Sequence, residues 1–172
     1  NAHKLNCGQV DNRKYCLEKA IAYFKIAYAV AKTKKDKIYT AGALGMWLVN
    51  HKKVRNLDEG IYYLEEVLKL TNLYEPSLCW LAEGYYKQGQ YDKAIEFGLN
   101  LHQKDKKECD NNGNSFASMP LEVVAKSCRK IGNIFKKNGD YIRAIQYFSK
   151  IKELNLSTDN DNKILAKLKE SI

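Results

Sequence analysis

Proline is scarce, two residues in 172, and glycine is modest at ten, while 45% of the residues are hydrophobic. That balance excludes general disorder, because a chain this apolar can bury enough surface to offset its ordering entropy. No apolar run approaches the roughly 20 residues that a membrane-crossing helix needs. Nor does a basic stretch followed by an apolar one open the chain as in a secretory signal; the Asn1-Ala2 start reads as a processed one. Histidine is limited to His3, His51 and His102, no C-x2-C pair occurs, and no histidine stands at ligand spacing from a cysteine. The usual zinc sites are thereby excluded. A glycine-rich phosphate loop, an H-E-x-x-H run and a serine elbow are all lacking. The sequence therefore predicts a protein that is not an enzyme and carries no metal or cofactor.

What is present is charge and cysteine. Lys and Arg number 29 against 20 Asp and Glu, a formal +9. The excess sits at the ends, with +6 over residues 1–50, −2 over 51–100 and +5 over 101–172. Such a field favours acidic partners and anionic surfaces. No recognised nucleic-acid module accompanies it, so a protein or peptide partner is the stronger expectation. Cys7 and Cys16 are nine residues apart across polar sequence, and Cys109 precedes the helix that carries Cys128. Pairs 7–16 and 109–128 are candidate disulfides if the compartment is oxidising. The alternative is five reduced thiols serving as small hydrophobes. A periplasmic, secreted or membrane-tethered soluble location is slightly favoured over the cytoplasm, and both remain open.

Internal repetition is the strongest pattern. Residues 75–104 and 125–154 align on Gly89 and Gly139, matching at Leu81/Ile131, Tyr85/Phe135, Tyr91/Tyr141, Ala94/Ala144 and Ile95/Ile145. Each reads as helix, tight turn, helix, with glycine free to end the first helix in a left-handed conformation. Gly60 falls 34 residues before Ala94 and marks a weaker earlier copy, while Tyr15–Lys32 reads as a second helix lacking its partner. The spacing predicts helices near 15–33, 38–50, 58–71, 76–88, 91–104, 120–138, 141–155 and 160–171. Pro76 and Pro120 suit helix starts, where proline loses no internal hydrogen bond. Residues 105–119 break the period by sixteen residues and predict a surface loop. One domain over 1–172 is expected, closed by the last helix as a cap.

The last two copies resemble the tetratricopeptide repeat family, whose pattern of Leu-Gly, then Tyr, Gly, Tyr and Ala they follow, with Ala82 in place of the glycine that Gly132 supplies. Segment 38–70, with Ala43-Leu44-Gly45 and an expanded turn through His51–Asn56, is more similar to the Sel1-like subtype. The resemblance implies an all-α right-handed superhelix of stacked helix pairs that binds a partner along their first helices. Carried over residue by residue, it nominates Glu83, Tyr86 and Lys87 in one copy, with Cys79 beside them. In the next it nominates Lys126, Arg129, Asn133, Lys136 and Lys137. Arg129 and Asn133 are four apart on one helical face and match in type the pair with which some members hold a peptide carboxylate. Cys79 and Glu83 occupy the corresponding points of the preceding copy, which argues against a complete clamp. The function expected is a non-catalytic interaction module for an extended or acidic protein segment, the alternative being a small secretion-type chaperone or a scaffold subunit.

Overall fold

A computed structural model describes residues 10–71, 75–108 and 118–172. Among these residues there are eight helices and no strand: α1 Val10–Val30, α2 Lys34–Asn50, α3 Leu57–Leu70, α4 Glu75–Gln88, α5 Tyr91–Glu108, α6 Ser118–Lys137, α7 Tyr141–Glu153 and α8 Asp159–Lys169. The fold is an all-α helical repeat. The chain divides into two compact units, Asn1–Gly84 and Tyr85–Ile172, with the boundary inside α4.

Departures from the expected helix limits have local causes. Helix α2 starts four residues before the expected 38, because the Thr33 hydroxyl accepts from the Asp36 amide at 3.1 Å and caps it. Satisfying one of the orphan amides of the first turn fixes where a helix begins. Helix α5 continues to Glu108, so the expected loop 105–119 is helical over 105–108 and again from Ser118. Lys106, Lys107 and Glu108 are sound helix formers, and no glycine or proline interrupts them. The rest of that stretch, including Cys109, lies outside the described residues, as does Cys7.

In the first unit, α2 and α3 cross at two glycines. A Cβ placed on Gly45 would stand 2.5 Å from Leu64 Cγ and 2.8 Å from the Gly60 carbonyl oxygen. A Cβ on Gly60 would meet Val49 and Leu48 at 3.0 and 3.1 Å. The pair thus approaches more closely than any side chain permits, and Leu44, Leu48, Leu64 and Val67 close the seam with almost no exposure. Helix α1 packs Ile21 and Phe24 against Leu44 and Leu48.

The second unit buries Ile95, Val124, Cys128, Ile131, Ala144, Phe148, Ile151, Leu165 and Leu168 in one core. Gly132 on α6 admits the Phe148 ring, whose Cε2 lies 2.8 Å from where a Cβ would be. A motif of rings and cations occurs twice in this unit, fifty residues apart. Tyr85 stacks on Phe97 at 5.4 Å with Lys93 4.9 Å over the Tyr85 ring, and Phe135 stacks on Tyr147 at 5.8 Å with Arg143 4.5 Å over the Phe135 ring. Each turn is thus closed by a cation, a ring from the first helix and a ring from the second.

The backbone of those turns is equally repetitive. Gly89 and Gly139 have φ of 80° and 76°. The Gly89 amide donates to Tyr86 O at 3.1 Å and Gln90 to Tyr85 O at 2.9 Å; Gly139 donates to Lys136 O at 3.2 Å and Asp140 to Phe135 O at 2.9 Å. These paired bonds are the Schellman ending of a helix. Asn155, with φ of 57°, repeats it after α7, donating to Lys152 O at 2.9 Å while Leu156 donates to Ile151 O at 3.0 Å.

Two glycine substitutions separate packing from backbone strain. Gly45→Ala forces apart a filled crossing and is expected to cost about 1–3 kcal/mol. Gly89→Ala meets open space and costs only the left-handed conformation, about 1–2 kcal/mol. Urea denaturation of each variant measures both, and an unchanged midpoint for Gly45→Ala would rule out the close crossing.

Candidate functional site

The first helix of the last pair, α6, holds five of the residues nominated from the sequence. Lys126 is bridged to Glu122 one turn earlier at 2.7 Å, which holds the Glu122 carboxyl below its ordinary value. Asn133 is half-buried, and Lys137 is exposed. Lys136 lines a cavity of about 250 Å³ with Tyr141, Ile164, Lys167 and Leu168. Neither Lys136, Lys137 nor Lys167 forms an ion pair among the described residues. On α4, the Tyr86 ring lies 5.8 Å from that of Tyr91, in a tilted arrangement. Glu83 and Lys87 are half-buried and already engaged by neighbouring groups. Cys79 and Glu83 belong to the first unit, and Tyr86, Lys87 and the five α6 residues to the second.

Arg129 has a different occupation from the one its spacing suggested. Its Nε donates to both Asp161 carboxylate oxygens at 3.0 Å, and Nη2 donates to Asp161 Oδ2 and to Leu156 O, each at 2.9 Å. Its fork does hold a carboxylate, but one supplied by α8 of the same chain. Asp161 is only 3% exposed and also accepts from the Thr158 amide and hydroxyl at 2.8 Å, while its own amide donates back to the Thr158 hydroxyl at 3.2 Å. The capping box of α8 and the anchor to α6 therefore share one carboxylate. Burial would raise the Asp161 pKa, but the bonds from Arg129 and Thr158 outweigh it and hold the group below the usual carboxylate range. Arg129 is thus committed inside the fold, and the sequence pairing with Asn133 is not a partner-facing clamp in this structure.

Among the described residues no disulfide joins two cysteines, and both candidate pairs have one member, Cys7 or Cys109, outside those residues. Cys128 is a thiol with no exposure, and burial pushes its pKa up to about 11. A thiol so placed is a core side chain and a poor nucleophile. No cluster of three His, Cys, Asp or Glu side chains suited to a metal is found among the described residues. No described helix is long and apolar enough to cross a membrane.

A second cavity, of about 340 Å³, lies wholly in the first unit. Its walls are Phe24 from α1, Tyr39, Met46 and Trp47 from α2, and Ser77 and Trp80 from α4; Gly42 and Ala43 leave it room. Residues 39, 42, 43, 46 and 47 recur at the three- and four-residue steps of one helical face. Phe24 and Trp47 lie 6.1 Å apart, and the Trp47 ring lies 4.9 Å from His51. None of these residues was nominated from the sequence. The readable signal was composition: both tryptophans of the chain, Trp47 and Trp80, sit on first helices of successive pairs.

Removing the α8 anchor tests its weight. Asp161→Ala leaves the Arg129 guanidinium without its buried partner and is expected to cost about 3–5 kcal/mol. Because the folded pKa of Asp161 lies below its unfolded value, near 3.9, the stabilisation is complete at neutral pH and is lost as pH falls through that lowered value. Urea melts at pH 7 and pH 3 should therefore show the wild type losing more stability on acidification than Asp161→Ala. Cys128 should resist N-ethylmaleimide at pH 7.5 in the native protein and react once urea exposes it, as peptide mass mapping will show.

No match to the chain was found among curated proteins. Residues 125–158, which include Arg129, the Gly139 turn and α7, match the family model described as Tetratricopeptide repeat, so this segment is similar to a repeat of a kind that generally mediates protein–protein interaction.

Proposed function

We propose that the chain is a non-catalytic interaction module that binds an extended, acidic segment of another protein along α6 and its surroundings in the second unit. The observation that carries this reading is the set of unspent polar groups on the segment that matches the family model and on the helix that follows it. Lys136 and Lys167 line one cavity whose other walls are Tyr141, Ile164, Leu168 and Ser171, with no acidic residue among them. Lys137 adds an exposed cation on the last turn of α6, and Asn133 lies one turn back with no side-chain hydrogen bond among the described residues. A cationic rim over an apolar floor suits a segment whose carboxylates flank an apolar residue, with charge setting on-rate and selectivity. Tyr86 and Lys87, on α4 of the same unit, extend this reading toward the preceding copy. Arg129 is left out of it. We also read the α2–α3 pair as Sel1-like, supported by Ala43-Leu44-Gly45 and by the expanded turn between the two helices.

A comparison of charge reversals tests the proposal. Capture of an immobilised acidic peptide by Lys136→Glu/Lys137→Glu should fall at least about tenfold at low ionic strength. Lys52→Glu/Lys152→Glu, with the same change in net charge elsewhere on the chain, should bind as the wild type does. Equal losses in both double variants would reduce the effect to overall charge and remove the site.

A further inference from the structure

The serine that recurs at positions 77 and 127 behaves differently in its two settings. Both are buried, at 1% and 0% exposure, fifty residues apart like the glycines of the turns. Ser127 lies in mid-helix and donates to Val123 O one turn back at 2.8 Å. Ser77 is only the third residue of α4, so no carbonyl of its own helix stands four residues back. Its hydroxyl oxygen is buried without a hydrogen-bond partner, the only such side-chain atom found among the described residues, and it lines the aromatic cavity of the first unit. An orphaned buried hydroxyl costs about 1–3 kcal/mol, and natural structures keep few of them.

The remaining walls set the rest of the ligand's chemistry. Trp47, Trp80, Phe24 and Met46 offer rings and a polarisable thioether, and the volume of about 340 Å³ falls within the usual range of ligand cavities. Residues 32–37, leading into and opening α2, carry Lys32, Lys34, Lys35 and Lys37 against one acid, Asp36, which accepts from the Thr33 hydroxyl at 2.6 Å. All four lysines are exposed and none is in an ion pair among the described residues. Lys35 lies four residues before Tyr39 and so shares the helical face that lines the cavity.

We propose that this cavity is an anchor pocket for an extended protein segment: a bulky apolar side chain fills the space between Trp47 and Trp80, a main-chain carbonyl accepts from Ser77 Oγ, and carboxylates flanking the anchor meet the lysines at the start of α2. The inference rests on the reading of the chain as a protein-binding module and adds a second, separately testable site with its own specificity.

The chain supplies its own reporter, since its two tryptophans both line the pocket. The probe is the capped peptide Asp-Glu-Phe-Glu-Asp, titrated into the whole protein at low salt while tryptophan emission is followed. A saturable blue shift is expected as the phenyl ring displaces water. Replacing the peptide's Phe by Ala should weaken binding at least about tenfold, and Lys-Lys-Phe-Lys-Lys should not bind. Ser77→Ala should weaken binding about fivefold while leaving the urea midpoint unchanged or raised, because the orphaned hydroxyl is gone. A residue kept only for the fold would not show that opposition. Lys34→Glu/Lys35→Glu/Lys37→Glu, which touches no core residue, should weaken binding at least about tenfold.

Emission that stays constant, equal binding of the Phe and Ala peptides, or full binding by Ser77→Ala would each overturn the pocket. If the immobilised peptide is still captured but emission does not change, this inference fails and the α6 reading stands. If neither acidic peptide is captured nor emission altered, both fall.

Discussion

How closely two paired helices can approach is the constraint on which the rest of this structure depends. At Gly45 and Gly60 the backbones of α2 and α3 meet with no room for a methyl group. At Gly132 the same absence of a side chain admits a phenylalanine ring. Small residues at the crossing bring the large ones on either side into continuous seams, and burial of those seams is the main stabilising force in the fold. With each crossing fixed, the first helix of its own pair is fixed against the second, and with it the α2 residues that line the first unit's cavity and the lysines on α6. Binding to such a surface needs little reordering, because the scaffold has already met that cost during folding.

The arginine at position 129 shows how one residue can satisfy a motif's chemistry without performing its function. Its guanidinium binds a carboxylate in a forked geometry, but that carboxylate belongs to the capping helix. Asp161 gathers the Arg129 fork, the Thr158 cap and the start of α8 at a single buried point. A hub of this kind gives specificity of docking more than raw strength, since each partner would be costly to leave alone. It also removes a cation from the field that the formal charge suggests is available to partners.

Much of the architecture was legible beforehand because repetition amplifies weak signals. Gly89 and Gly139 announced their turns, and the structure places both in the left-handed region. Helix limits shifted where a cap decided them: Thr33 is an ordinary threonine until Asp36 is seen three residues on. The functional surface was less legible. Spacing put Arg129 and Asn133 on one face, but only three-dimensional packing could reveal that α8 returns to occupy the arginine. The pocket in the first unit was missed for a related reason. Its walls come from three helices, and the feature that singles out Ser77 is a bond it does not make, which depends on where α4 begins. The matching pairs Phe97/Tyr147 and Lys93/Arg143 could have been found by extending the alignment beyond apolar identities.

The Schellman turns are held by main-chain bonds beside the ring and cation contacts, and the Asn138 side chain, at the tip of one of them, takes part in neither. Asn138, just after α6, is exposed, and its backbone amide donates to Ile134 O and Phe135 O at 3.1 Å. Its side-chain amide can be exchanged for a cysteine bearing a dye, or for a linker to a solid support, without disturbing the glycine next to it. The rim of the repeat thus offers a ready handle for single-molecule or biosensor work.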